Sequence, residues 1–517
     1  MNTNSGLVPL LDETGRFPNS FAPPSVEADM RAAQAAQAQA EEAAQNAAGL
    51  ATTATTAAET ATTMAGQTVA LQDAAISGRI ADSSSETATA LAQFMVPSLT
   101  PAHVRGNSPS SMVLSLFQTG HPFTLGNSDS SSNANDKVNY ELGTQCATLV
   151  TKGNGTVSSL GAGTMPGPAD LTGMNIRIRM RAANLEHISR FEIYAGNEST
   201  FNSRYTWGNP ASDFKSLLNA EVNHAVNIIK DGEWANLDLS LADATVVGTP
   251  DKTAINSWQL RIADDTTSKV TINFQGLYTV AKSTTFPTGV VTWAWDDSHA
   301  TPLQNAKPWL DMYGMRSTYY LILDVMGKSV NGDTFFTIEG AHALYDQGND
   351  IAPHCTTLAR HSSPNGMIDL TDDELEQEFR ELKLWFRREG FTRSMDHFAT
   401  PQGKFTPRMI SVMQRYFASH RSVVHTALDT IRPGDTMRLH CIPLPGLGTV
   451  STVEKCKAAV RRAVEEGAWI IFMGHKVVTG ASNGPLECTT NDFQSLCSYV
   501  NGTGIPVRTV SEVLDQM

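Results

Sequence analysis

Between about Val104 and Lys282 the apolar residues recur at every second position. Ile176, Ile178 and Met180 alternate with Arg177, Arg179 and Arg181, and Leu237, Leu239 and Leu241 alternate with polar residues. Trp258, Leu260 and Ile262 follow the same rule, as do Val270, Ile272 and Phe274. A period of two sends successive side chains to opposite faces of a strand, so each segment predicts a half-buried antiparallel strand with one exposed face. Clusters of Gly, Asn, Ser and Pro separate these segments, which predicts an all-β sandwich over residues 104–284. Sandwiches of this size often bind glycans. Tyr205 and Trp207 are the candidates to stack on sugar rings, with plain packing as the alternative.

The flanking regions obey other rules. Pro18, Pro23 and Pro24 oppose a helix in the lead, residues 1–30. Residues 31–80 hold 19 Ala and 8 Thr, and no proline or aromatic residue lies between Ser25 and Gln93. Ala, Gln and Glu favour helix, and Ala stripes bury little area per chain, so residues 31–95 predict a helical, self-associating stalk, with a flexible linker as the alternative. From Phe286 onward strands and helices alternate. Gly289–Trp295 and Trp469–Met473 are apolar strands. Thr371-x-x-Glu374 opens a helix with Leu375, Phe379, Leu382 and Phe386 on one face; Ser451-x-x-Glu454 opens another, closed by Gly467. Repeated strand–helix units predict a parallel sheet, open or closed into a distorted β/α barrel, with its chemistry at the carboxyl ends of the strands.

Charge narrows the partners. With 38 Lys+Arg against 52 Asp+Glu the net charge is −14, which argues against a phosphate-backbone binder. No run approaches the ~18 apolar residues of a membrane span, and the opening Met1-Asn2-Thr3-Asn4-Ser5-Gly6 lacks the basic start and apolar stretch of a secretory signal. Six cysteines without a CxxC pair suggest reduced thiols rather than a disulfide scaffold or zinc knuckle.

Three clusters of chemistry fall at strand ends. The first strand runs into Asp296-Asp297-Ser298-His299. Adjacent carboxylates on extended backbone diverge, so one can bind a metal while its neighbour faces substrate. The second cluster is Asp350-Ile351-Ala352-Pro353-His354 through His361; a carboxylate and two imidazoles make a three-ligand zinc set with one open position. His354 and His361 are about 10 Å apart along a regular helix, so if both bind, the segment is a bent loop. His299 and His397 are the rival ligands. The third cluster is Gly474-His475, after the Trp469–Met473 strand.

In this order and spacing, residues 287–517 resemble the polysaccharide deacetylases of the NodB-homology, carbohydrate esterase type. Thr292-Trp293-Ala294-Trp295-Asp296-Asp297-Ser298 matches the family's Thr-Phe-Asp-Asp-Gly. The resemblance implies Asp296 as catalytic base and Asp297 as metal ligand. His354 fits the first histidine of His-[Ser/Thr]-x-x-His, but Leu358 stands four residues on, and His361 takes the second place through a three-residue insertion. Phe398-Ala399-Thr400-Pro401-Gln402-Gly403 keeps the Pro and Gly of the third motif without its Arg, leaving open what orients Asp296. Ile470 to His475 is similar to the family's closing strand and implies His475 as general acid, and Gly504–Val513 is similar to its usual end. The implied cofactor is a divalent metal, zinc by default, with cobalt, nickel or manganese taking the same ligands. The implied reaction is removal of acetyl groups from a polysaccharide.

The Leu-Pro-containing opening, the Ala/Thr/Gln segment and Ile76-Ser77-Gly78-Arg79-Ile80-Ala81-Asp82 look like the amino ends of bacteriophage minor tail or tail-fibre proteins. That resemblance implies virion attachment, tail or baseplate partners, a homo-oligomer such as a trimer, and an acetylated bacterial surface polysaccharide as target. The alternatives are an inactive receptor-binding fibre that holds glycan, to which Leu358 and the missing Arg point, and a bacterial cell-wall deacetylase.

Overall fold

A computed structural model describes residues 31–46, 111–141, 143–162, 165, 167–208, 231–241, 244–364, 366–422, 428–431, 433–446, 451–484 and 486–516. The chain divides into one unit, Met1–Ala81, and a second, Asp82–Met517. In the first, a helix spans 31–46 with every residue exposed. The lead, the remainder of the expected stalk and Ile76–Asp82 lie outside the described residues. Among the described residues no helix is long and apolar enough to cross a membrane.

Residues 111–281 form two six-stranded sheets. One has the order Asn133–Asp136, Cys146–Val150, Thr271–Ala281, Met174–Ala183, Trp234–Leu239, with Ser111–Ser115 also paired to Thr271–Ala281. The other runs Thr245–Val247, Arg204–Trp207, Ile188–Gly196, Ser257–Asp264, Ser158–Ala162, Phe123–Gly126. All pairings are antiparallel. Both sheets send their apolar rows into one core, which holds Ile176, Ile178, Met180, Leu237, Leu239, Trp258, Leu260, Ile262, Ile272 and Phe274.

Of the two readings of the aromatics, packing holds for Trp207, and the expected exposed sheet face does not. Trp207 is 1% exposed in that core, its indole N–H donating to Ser240 O at 2.7 Å, so it is a packing residue with no face for a sugar. Tyr205 is half-buried against the same core, its hydroxyl 3.4 Å from Pro250 O. The polar face of the first sheet is not open either. Arg177 and Arg179 are buried, paired with Asp238 and Glu141, because other parts of the chain cover that face.

The remaining residues build a third, mostly parallel sheet in the order Asp350–Cys355, Ser317–Ile322, Val290–Trp295, Ala468–Gly474, Asp429–Thr430; the last strand is antiparallel, and Ile442–Pro443 also pairs with Ala468–Gly474. Val290–Trp295 is buried at all six positions, as a parallel strand covered on both faces must be. Beyond this path His397–Ala399 pairs with Ser419–Arg421, and Arg421 bridges to Leu439. The sheet therefore curls most of the way round without a continuous ladder among the described residues. Side chains span the gap: His354 Nδ1 donates to Ala399 O at 2.7 Å, and Ser394 Oγ to Ile351 O at 2.7 Å. The curled interior holds Val290, Ala294, Tyr320, Ala352, Ala399, Ile471 and Met473, with Val510, Val513 and Leu514 of the last helix.

The helices on this sheet start where their caps direct. Thr371 and Glu374 form a capping box, and Leu375, Phe379, Leu382 and Phe386 of Asp372–Arg388 are buried. The second helix begins one residue later than expected: Thr452, not Ser451, accepts the Lys455 N–H, and Gly467 closes the helix in the left-handed region. Ser451 instead donates to Pro443 O. All six cysteines are free and buried.

Candidate active site

The carboxyl ends of four neighbouring strands converge. Trp295 is paired with Gly474 on one side and Tyr319 on the other, so Asp296, Asp297 and His475 leave the sheet at one level. His354 arrives by an irregularity. Leu321 pairs with Pro353 and Ile322 with Cys355, so His354 is the extra residue of a bulge, a device that re-aims a side chain.

The Asp-Asp pair diverges as its adjacency requires. Asp296 N donates to Gly474 O at 2.9 Å, continuing the strand. Asp297 and Ser298 then turn through consecutive left-handed conformations, φ 69° and 61°, each costing on the order of 1–3 kcal/mol in a non-glycine residue. Ser298 holds the turn: its hydroxyl accepts from Ile322 N at 2.9 Å and its carbonyl from Phe336 N at 3.1 Å.

Asp296 faces Arg421, whose Nη2 lies 2.7 and 2.5 Å from the two carboxylate oxygens. Both residues are buried, and the guanidinium also lies over the Tyr320 ring at 5.0 Å. Asp297 faces the other way. Its Oδ1 is 2.9 Å from His361 Nε2 and 3.2 Å from His354 Nε2, and this buried oxygen has no well-formed hydrogen bond. The three donor atoms lie within 4.8 Å of one another. Burial pushes the Asp297 carboxyl up in pKa, but the nearby His354 and His361 outweigh it and hold the group well below the ordinary carboxylate range. At His361 burial lowers the pKa, and the Asp297 contact more than reverses it. His354 Nδ1–H is committed to Ala399 O, which turns the Nε2 lone pair toward Asp297. An orphaned carboxylate oxygen, a tautomer-fixed imidazole and a second imidazole fit a divalent metal.

The seven-residue gap between the histidines is closed by a bend. The chain leaves the strand at Cys355, turns, and forms the short helix Leu358–His361, which brings the two rings to 5.3 Å. Glu378, fully buried, pins the turn: it accepts from Thr356 N at 2.6 Å, Thr356 Oγ1 at 2.7 Å and Arg360 Nε at 2.6 Å. Gln402 holds the far end, donating to His361 O at 2.8 Å and Ser363 O at 2.6 Å.

His475 Nε2 stands 4.0 Å from Asp296 Oδ2 and 3.9 Å from Asp297 Oδ2, and a recess lined by Leu444, Met473, Lys476 and Leu486 opens beside it. The rival ligands are not part of the three-donor group. His299 stacks on Phe335, with Nε2 3.9 Å from Asp297 Oδ2, and burial lowers its pKa to about 4. His397 contacts Ser419 Oγ at 3.0 Å, and burial likewise takes it down to about 4. Asp350, at the opposite end of its strand, accepts from Ser511 N and Oγ and serves the last helix.

The sequence reading missed Arg421 and Glu378. Arg421 reaches Asp296 from a three-residue strand too short to carry any periodicity. Glu378 carried a legible signal, a charge on the stripe of Leu375, Phe379 and Leu382.

No family model and no curated protein matches the chain. Among solved structures it is similar to the Xyl-CE4 domain of a multidomain xylanase from the hindgut metagenome of Trinervitermes trinervoides, at 15% identity and a TM-score of 0.30, over 44% of this chain and 90% of that one. It is also similar to a family 4 acetyl xylan esterase from Clostridium thermocellum in complex with a cobalt ion, at 14% identity and a TM-score of 0.30, over 44% and 90%. A CE4 family pseudoenzyme from Bacillus anthracis matches at 15% identity and a TM-score of 0.30, over 44% and 67%.

If Glu378 shapes the ligand set, Glu378→Ala weakens binding of Co²⁺ or Zn²⁺ by about 10–100-fold while the far-ultraviolet circular dichroism stays unchanged. Calorimetric titration checks this; wild-type affinity in the variant would remove Glu378 from the account.

Proposed function

We propose that residues 286–517 form a metal-dependent hydrolase that removes acetyl groups from a polysaccharide, carried on a phage tail and directed at an acetylated bacterial surface glycan. The observation that carries the chemistry is the division of labour between neighbours: Asp297 with His354 and His361, and Asp296 clamped by Arg421 beside His475. Pure glycan binding requires no such arrangement.

Zinc suits a carboxylate with two imidazoles, and cobalt, nickel or manganese accept the same donors. A cation held there would supply Lewis acidity toward an acetyl carbonyl and toward the attacking water. Arg421 Nη2 fixes the orientation of Asp296 through both carboxylate oxygens, which places the carboxylate to accept the water's proton. His475, at the edge of the recess, donates a proton to the departing amine or alcohol. Leu444 and Met473 give that recess an apolar wall suited to an acetyl methyl group.

The phage-tail part of the proposal rests on the amino-terminal resemblance and on the exposed 31–46 helix, whose Ala-rich surface buries area only against neighbours.

The catalytic assignment predicts that Asp296→Asn lowers acetate release from N-acetylglucosamine oligomers or acetylated xylan by about 10²–10⁴-fold with metal content unchanged. Loss of metal together with activity contradicts the division of roles. For the assembly, light scattering of the full chain at micromolar concentration is expected to give three chains per particle; a clean monomer removes the stalk from the proposal.

A further inference from the structure

The outer face of the first β-sheet is joined to the active site by an unbroken series of polar contacts. Asp238, on Trp234–Leu239, accepts from Arg177 Nε at 2.6 Å and Nη2 at 2.8 Å. The same carboxylate reaches across to the catalytic region, accepting from Gly434 N at 2.8 Å and Thr430 Oγ1 at 2.9 Å. Asn236 Nδ2 donates to Gly434 O at 2.6 Å, and Arg438 pairs with Glu233 at 2.6 Å and with Asp435. Arg177, Asn236, Asp435 and Arg438 are all buried. The approach at Gly434 leaves no room for a side chain: a Cβ there would lie 2.7 Å from Asp238 Oδ1, 2.8 Å from Asn236 Cβ and 2.9 Å from Arg177 Nε.

The segment gripped in this way is the backing of the arginine strand. Thr436 Oγ1 donates to Ala418 O at 2.8 Å, and His420 Nδ1 to Met437 O at 2.7 Å. Leu439 N donates to His420 O at 3.0 Å, and Ser422 N to Leu439 O at 2.9 Å. Arg421, between these contacts, holds both oxygens of Asp296. Ser419–Arg421 pairs on its other side with His397–Ala399, so residues 436–439 flank it opposite that strand.

We infer that Asp238, with Arg177, is a positioning residue of the active site, acting through Gly434 and residues 436–439 to set Arg421 against Asp296. The β-rich region is then a working part of the catalytic domain rather than an independent module. This rests on the proposed role of Asp296.

The test uses the full chain, with Asp238→Ala and the milder Asp238→Asn. Hydrogen exchange by mass spectrometry is expected to rise about tenfold or more in peptides covering Ser419–Ser422 and Leu439, with Ser317–Ile322 and Asp350–Cys355 unchanged. Acetate release is expected to lose about tenfold or more in kcat with KM within about twofold. In an Arg421→Lys background Asp238→Asn adds no further loss, since both act on one contact. Unchanged exchange at Ser419–Ser422, a uniform rise across the domain, or full additivity with Arg421→Lys each overturns the inference and leaves Asp238 as interdomain glue. A wild type that releases no acetate from any substrate refutes the functional reading instead; the exchange comparison still decides the coupling.

Discussion

Two carboxylates one peptide apart, Asp296 and Asp297, are both buried at the end of an apolar strand, and the surrounding fold is organised to offset that burial. Each negative charge leaves water at a cost of several kcal/mol unless it is paired, and like charges side by side raise it further. The left-handed turn at Asp297 and Ser298 separates them. Arg421 answers Asp296 from one side of the curled sheet; His354 and His361 answer Asp297 from the other. The bulge at His354, the Glu378-pinned bend and the Arg421 strand follow from these two separate demands.

The compensation is uneven in an instructive way. Asp296 has Arg421 Nη2 on both of its oxygens, whereas Asp297 Oδ1 has two close imidazoles and no hydrogen bond. A buried acceptor in that condition costs about 1–3 kcal/mol, and a cation shared among the three donors removes the cost.

Much of this was legible from residues alone, for identifiable reasons. The period of two in Ile176–Met180 and Trp258–Ile262 reports a long, strongly patterned strand, and the Thr371 capping box is a local signal with a local partner. What escaped depended on distance. Arg421 lies 125 residues from Asp296 on a strand of three residues. Arg177 was misjudged because alternation tells which side chains share a face, not what covers that face. The Ser451 cap moved to Thr452, an ordinary one-residue ambiguity where two hydroxyl residues stand together.

The central claim is that Asp297, His354 and His361 hold a divalent metal. Elemental analysis of the purified full chain, beside Asp297→Ala, tests it most directly and without knowing the polymer. The expected result is one transition-metal ion per wild-type chain and none in the variant. A wild type that takes up no metal when zinc or cobalt is offered, or an Asp297→Ala protein that keeps its ion, would contradict it.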